Sequence, residues 1–188
     1  NHVAVVAGDT KVVRRGEGSG LYLSVAGIGV RHAGARLAMN RIVPGDVVLV
    51  SGPVGDHGIA VMLAREQFGL AGALRSDSAS VLPLARAIRD FPDLKFMRDP
   101  TRGGLATVAH EIARASGNSV TLYQAAVPLR PEVVSVCEML GYDPYFLACE
   151  GRIVAVADPF AADDILNRWH ALPEGRDAAV IGHIETGG

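Results

Sequence analysis

The apolar run DVVLVSG at 46–52 restricts the folds open to this chain more than any other segment. It has no polar face, so as a strand it must be covered on both sides. It runs through SGPVGDHG (51–58) into a segment with helical apolar spacing, roughly Gly55 to Phe68, with Ile59, Met62 and Leu63 inward. Covering a strand on two faces takes at least two further layers and a sizeable core. With 49% of its 188 residues hydrophobic, the chain can supply that core.

The remaining segments read as the same mixture. Val3 to Ala7 is predicted to be a buried strand, Lys11 to Arg15 its extension or the start of a loop, and RRGEGSG (14–20) a turn-rich stretch. LYLSVAGIGV (21–30) is predicted to be a strand, and a basic connector with His32 and Arg36 leads to a tight turn at IVPGD. Ser76 to Phe91 reads as a helix with Leu82, Ala85 and Ile88 on one face, followed by the short strand LKFMRD. Leu105, Val108, Ala109, Ile112 and Ala113 then make one helical face, with Asp99 and Pro100 as cap and first-turn pair. SVTLYQ is predicted to be a strand, and PEVVSVCEML a helix stopped by Gly141. Residues 144–151 and 152–158 read as a hairpin, PFAADDILNRWHAL as a helix and DAAVIGHIE as a final strand. Strands and helices mix without strict alternation, which predicts an α/β (α+β) fold, a mixed β-sheet layered with helices.

Charge and cysteine content remove several function classes. A net charge of −2 argues against a general nucleic-acid binder. No apolar run approaches the roughly 18 residues of a membrane span. Cys137 and Cys149 form no CxxC pair and suit a reducing compartment, hence a cytoplasmic location, with a single disulfide still open; both read as buried packing residues, with a nucleophile the alternative for Cys149. His2, His32, His110, His170 and His183 show no metal-ligand spacing. The chain opens without methionine, directly into strand-like residues, and reads as a piece of a longer protein.

Four glycine-bearing polar stretches interrupt the apolar pattern: GDTK (8–11), SGPVGDHG (51–58), RDPTRGG (98–104) and ACEGR (148–152). In the first, Asp9 can hold Mg²⁺ and Lys11 can neutralise a phosphate, or Asp9 and Thr10 simply bond their own backbone in a turn. The second can present backbone N–H groups to an anion, with His57 a candidate base, or it is a strand-to-helix turn with Asp56 as N-cap. In the third, Arg102 offers a fork for a phosphate or carboxylate. Gly103 and Gly104 there sit where a helix should begin, at a cost of about 1 kcal/mol each relative to alanine. Either they let the backbone meet an anion, or the stretch is a capped helix start with a solvated arginine. If φ is negative there, alanine would stabilise the helix while blocking the ligand. In the fourth, Glu150 is an acid–base candidate or a turn glutamate.

In order and spacing, GDTKVV, GIG, PGD, SGPVGDHGIAVMLARE, MRDPTRGGLA and CEMLGYDPYFLACEG resemble the HypE family of hydrogenase-maturation proteins over nearly the whole chain. Sister families of the same architecture (aminoimidazole ribonucleotide synthetase, selenophosphate synthetase and thiamine-monophosphate kinase) carry other residues at the RDPTRGG and GPVGDHG positions. The resemblance implies that residues 1–36 are the end of an N-terminal ATP-binding domain with its connector. Residues 37–188 are then a C-terminal α/β domain of the aminoimidazole ribonucleotide synthetase-like fold, incomplete at its C-terminus.

The resemblance also implies an activity: Mg-ATP-dependent dehydration of a cysteine-bound thiocarbamate to a thiocyanate, which supplies cyanide to [NiFe]-hydrogenase iron. It implies a carbamoyl-transferring partner, an iron-scaffold partner and a homodimer for the whole protein. By the same resemblance Asp9 holds the metal, Lys11 and Glu150 are catalytic, and Asp9, Thr10, Asp99, Arg102, Gly103 and Gly104 meet the nucleotide. The family usually has Asn-Glu-Gly-Lys where this chain has Cys149, Glu150, Gly151 and Arg152. The family's acidic metal-binding segment and cysteine-bearing tail are absent, so the isolated chain is expected to hydrolyse ATP negligibly. Two alternatives stay open: another ATP-using enzyme of the superfamily, or a non-catalytic module that docks maturation partners.

Overall fold

The computed structural model describes residues 3–18, 20–32, 34, 36–65 and 74–187. They fall into two compact units, Asn1–Ala33 and Gly34–Gly188.

In the first unit neither predicted strand forms: the described residues of 3–7 and 21–30 make no β-ladder. A strand needs a neighbouring strand to form a ladder, and no ladder among the described residues includes these segments. Their apolar side chains lie in solvent, with Val5 at 91% and Ile28 at 104% of full exposure. The expected turn at 14–20 does form. Glu17 N–H donates to Arg14 O (3.1 Å), and Arg14 N–H donates to Glu17 Oε2 (3.0 Å).

The second unit holds a five-stranded sheet with helices on both faces. In chain order it contains β1 (Val47–Val50), α1 (Asp56–Ala64), α2 (Leu82–Ile88), β2 (Leu94–Arg98), α3 (Gly104–Ser116) and β3 (Ser119–Leu122). Then come α4 (Pro131–Leu140), β4 (Val154–Ala157), α5 (Ala162–His170) and β5 (Ala179–Glu185). The strand order is β2-β4-β1-β5-β3, and every ladder is antiparallel. The α/β layering expected from the sequence is therefore present.

The strands β1 and β4 explain the continuous apolar runs. Val48, Val50, Val154 and Val156 pack with Leu105, Val108 and Ile112 of α3. Leu49, Ala155 and Ala157 point the other way, onto Leu84 and Ile88 of α2 and Ile165 and Trp169 of α5. Alternation persists, but both faces are covered, so no position can be polar. Trp169 is fully buried, and its indole N–H donates to Leu84 O (3.1 Å), so its one polar atom is satisfied. A smaller cluster of Ile59, Val133 and Cys137 joins α1 to α4, with Met62, Leu63 and Leu147 against it.

Several expected boundaries move. The helix α1 ends at Ala64, and residues 66–68 of the predicted helix lie outside the described residues. The helix α2 starts at Leu82, not Ser76. Upstream, Ser76 and Ser80 hydroxyls accept the N–H groups of Ser78 (3.0 Å) and Leu82 (3.4 Å), which gives the backbone local partners outside a helix. The predicted hairpin over 144–158 is absent. Pro144–Phe146 is a 3₁₀ turn whose Tyr145 N–H is capped by Asp143 Oδ1, and only Val154–Ala157 becomes a strand.

Candidate functional site

Three of the four polar stretches meet, and Cys149 joins them. Its N–H donates to Pro100 O (3.1 Å), which ties ACEGR to RDPTRGG. Its Sγ accepts the Gly55 N–H (3.3 Å), which ties it to SGPVGDHG. Gly58 N–H adds a bond to Ala148 O (3.1 Å). Burial pushes the Cys149 thiol up to about 12, so it stays protonated and serves as a weak hydrogen-bonding pack residue.

The helix starts beside these seams differ from the expected caps. Gly55, at φ 86°, is the N-cap of α1, and Asp56 is its first helical residue. The N-cap of α3 is Gly103 (φ 68°), followed by Gly104 (φ 60°), so Asp99 and Pro100 do not cap it. The Asp99 carboxylate instead accepts the Thr101 hydroxyl, and Pro100 O is taken by Cys149. The condition that would make alanine stabilising at 103 and 104 is not met. A Cβ on Gly104 would lie 2.4 Å from Tyr145 O and 2.5 Å from Leu147 O. One on Gly103 would lie 2.0 Å from Thr107 Oγ1. Backbone conformation and close packing thus account for both glycines.

Glu150 stands at this junction, gripped from two directions. Asp77, its side chain fully buried, accepts the Glu150 N–H at Oδ1 (3.1 Å) and the Gly151 N–H at Oδ2 (3.3 Å). The Glu150 carboxylate is partly exposed, and its Oε1 is 3.9 Å from His57 Nε2. His57 Nδ1 in turn is 2.8 Å from Ser76 Oγ. The next residues along complete a second layer. Arg152 donates to Pro53 O (3.0 Å) and Glu174 O (3.1 Å), and its guanidinium reaches Asp77 (3.5 Å) and Asp56 (3.9 Å). Asp56 is also paired with Arg130 (2.8 Å). Burial raises the Asp56 pKa, and the bond from Arg130 opposes the rise.

Beside Glu150, Asp56, Ser76, Asp77, Arg130 and Arg152 line a cleft of about 300 Å³ that Glu150 and His57 do not themselves line. Sequence reasoning named Asp56 as an N-cap and His57 as a candidate base or turn residue, and missed Ser76, Asp77 and Arg130 as site residues. The sole local signal is one acidic residue among serines in SDSAS, which reads as the first turn of the helix predicted over Ser76 to Phe91.

The other expected site residues are distributed as follows. Arg102 is exposed just ahead of α3. Asp9, Thr10 and Lys11 lie in the first unit, all exposed, with Thr10 N–H donating to Asp9 Oδ1 (2.8 Å). Among the described residues no group of three or more His, Cys, Asp or Glu could hold a metal ion. No helix among them is long and apolar enough to cross a membrane.

Comparison with known proteins places this geometry. Residues 43–188 match the family described as AIR synthase related protein, C-terminal domain. The chain is 44% identical to carbamoyl dehydratase HypE of Escherichia coli (strain K12), over 97% of this chain and 54% of that protein. It therefore spans about half the length of the curated relatives it matches. Among solved structures, a HypE–HypF complex matches with TM-score 0.79 at 37% identity, covering 82% of this chain and 51% of that one. HypE in complex with ATP matches with TM-score 0.74 at 36% identity, covering 80% and 45%.

Proposed function

The chain belongs to the family of AIR synthase related protein C-terminal domains, and from that premise we propose that it forms part of an ATP-dependent carbamoyl dehydratase. The substrate is a cysteine-bound thiocarbamate and the product a thiocyanate destined for hydrogenase iron. The observation that carries this reading is the meeting of three glycine-bearing stretches around a Glu150 whose main chain is fixed and whose carboxylate is partly exposed beside His57.

Making a nitrile from R–S–C(=O)–NH₂ removes two N–H protons and the oxygen. Mg-ATP, when bound, supplies the phosphoryl group that turns the amide oxygen into a leaving group. Glu150 takes one N–H proton as the oxygen is activated, releases it to water, and takes the second as the C≡N bond closes and the phosphorylated oxygen leaves. Lys11 neutralises charge on the activated oxygen. Arg102 and the backbone ahead of α3 face the phosphates, with Asp99, Gly103 and Gly104 shaping that approach. Asp9, supported by Thr10, offers a single carboxylate to Mg²⁺. One carboxylate would be only a share of the oxygen ligand set such an ion needs.

The partners that fit this chemistry are a carbamoyl-transferring protein, an iron scaffold and a second copy of the whole protein. The solved complex of HypE with HypF, and that of HypE with ATP, support the first partner and the nucleotide. Residues 1–36 belong to the nucleotide domain in this reading, and 37–188 to the domain described above. The test is dehydration of an S-carbamoylated carrier peptide by the full-length protein containing this chain, read by mass spectrometry. Lys11→Ala and Glu150→Gln should each lose activity by about 3–4 kcal/mol in barrier, roughly 10²–10³-fold, with melting unchanged. Near-normal rates in Glu150→Gln would remove Glu150 from the chemistry.

A further inference from the structure

Building on the assignment of Glu150 as the acid–base group, we infer that His57 and Ser76 form a dyad that presents an N–H to the Glu150 carboxylate. The dyad keeps that carboxylate aimed at the substrate. The hydrogen-bond directions follow from the chain of contacts. Ser76 Oγ already accepts the Ser78 N–H (3.0 Å), and its own proton is available to His57 Nδ1, 2.8 Å away. An imidazole that accepts at Nδ1 carries its proton on Nε2. Nε2 is the atom that faces Glu150 Oε1 at 3.9 Å, a gap that a small rotation of either partly exposed side chain closes to a hydrogen bond.

The surrounding charges leave this role to His57. The Asp77 carboxylate is spent on the N–H groups of Glu150 and Gly151 and on Arg152. Arg152 is spent on Asp77, Asp56 and two carbonyls, and Asp56 Oδ2 on Arg130 and Arg152, while the buried Asp56 Oδ1 makes no hydrogen bond among the described residues. A donor on one carboxylate oxygen fixes the rotation of the group, so the other oxygen is held towards the substrate. His57 and Ser76 are positioning residues here, acting through Glu150.

The test uses the full-length protein with Mg-ATP and an S-carbamoylated carrier peptide. His57→Ala should lower kcat roughly 10- to 100-fold with KM for ATP unchanged. His57→Gln, whose amide N–H₂ reaches the place of Nε2–H, should recover most of the rate. Ser76→Ala should lower kcat by less. A rise in KM for ATP with kcat unchanged, or a Gln variant no better than Ala, would overturn the inference. Glu150→Gln keeps the two readings apart. Full activity there sinks the role of Glu150 itself. Its loss alongside an unaffected His57→Ala sinks only the dyad.

Discussion

Asp77 holds Glu150 by its main chain: one carboxylate, buried and paired with Arg152, receives the N–H groups of Glu150 and Gly151. The contact is close enough to exclude any side chain at Gly151, where a Cβ would lie 1.9 Å from Asp77 O. The arrangement separates support from chemistry. The group that fixes the loop is sealed from solvent, and the group left partly exposed is the one that can meet a substrate.

Asp77→Asn tests that division. The amide keeps the shape but turns one acceptor into a donor that faces an N–H, and it withdraws the charge that balances Arg152. A buried polar group left so mismatched costs about 1–3 kcal/mol. For a domain of this size that is a fall of roughly 2–12 °C in Tm. A melting curve identical to the parent would show that the Asp77 bonds are not formed in solution.

The paired glycines at the start of α3 give a second test. An L-residue in the left-handed region costs about 1–2 kcal/mol before any clash. Gly104→Ala adds contact with two carbonyls that cannot swing away, whereas Gly103→Ala meets the Thr107 side chain, which can rotate. Thermal melts should therefore rank Gly104→Ala well below Gly103→Ala, with Gly103→Asn nearest the parent, since asparagine tolerates this conformation. Equal stabilities for the two alanine variants would contradict the packing described.

Cys149 makes a prediction with a definite sign. Its folded pKa of about 12 lies above the ordinary 9.0, so the native state keeps a proton that the unfolded chain releases. The stability it contributes is complete below about pH 9 and declines as pH rises towards 12. Urea melts of parent and Cys149→Ala should converge across that window. Cys137 and Tyr145, also raised by burial, are common to both and cancel. The thiol should also resist alkylation at neutral pH until the protein unfolds; rapid labelling of Cys149 in the native state would contradict its burial.

What could be read in advance depended on how local each cause is. The helix α4 was legible to the residue, because Pro131 and Gly141 mark its two ends. The strands β1 and β4 were legible as apolar runs, since burial on both faces leaves no ambiguity about the core. Residues 3–7 and 21–30 have strand composition, but a strand is a property of two segments, and the described residues supply no second one. Glu150 carried a visible motif. Asp77 did not, because its importance lies in a pairing across more than seventy positions, which leaves no periodicity behind. Glycines 103 and 104 were noticed for the right oddity, but the positive φ and the carbonyls of 145 and 147 that explain it are tertiary facts.

The strand order carries a consequence for synthesis. Val47 pairs with Ala157 on one side and with His183 on the other, so β1 has both edges open until most of the chain has left the ribosome. During that interval VVLV is an uncharged, β-branched-rich segment with unpaired backbone, the kind that associates with its own copies. The helix α1 and the loop it springs from are made next and cannot cover those edges, because only β4 and β5 occupy them. The last strands of this sheet therefore decide both whether the fold closes and how long its most aggregation-prone segment waits.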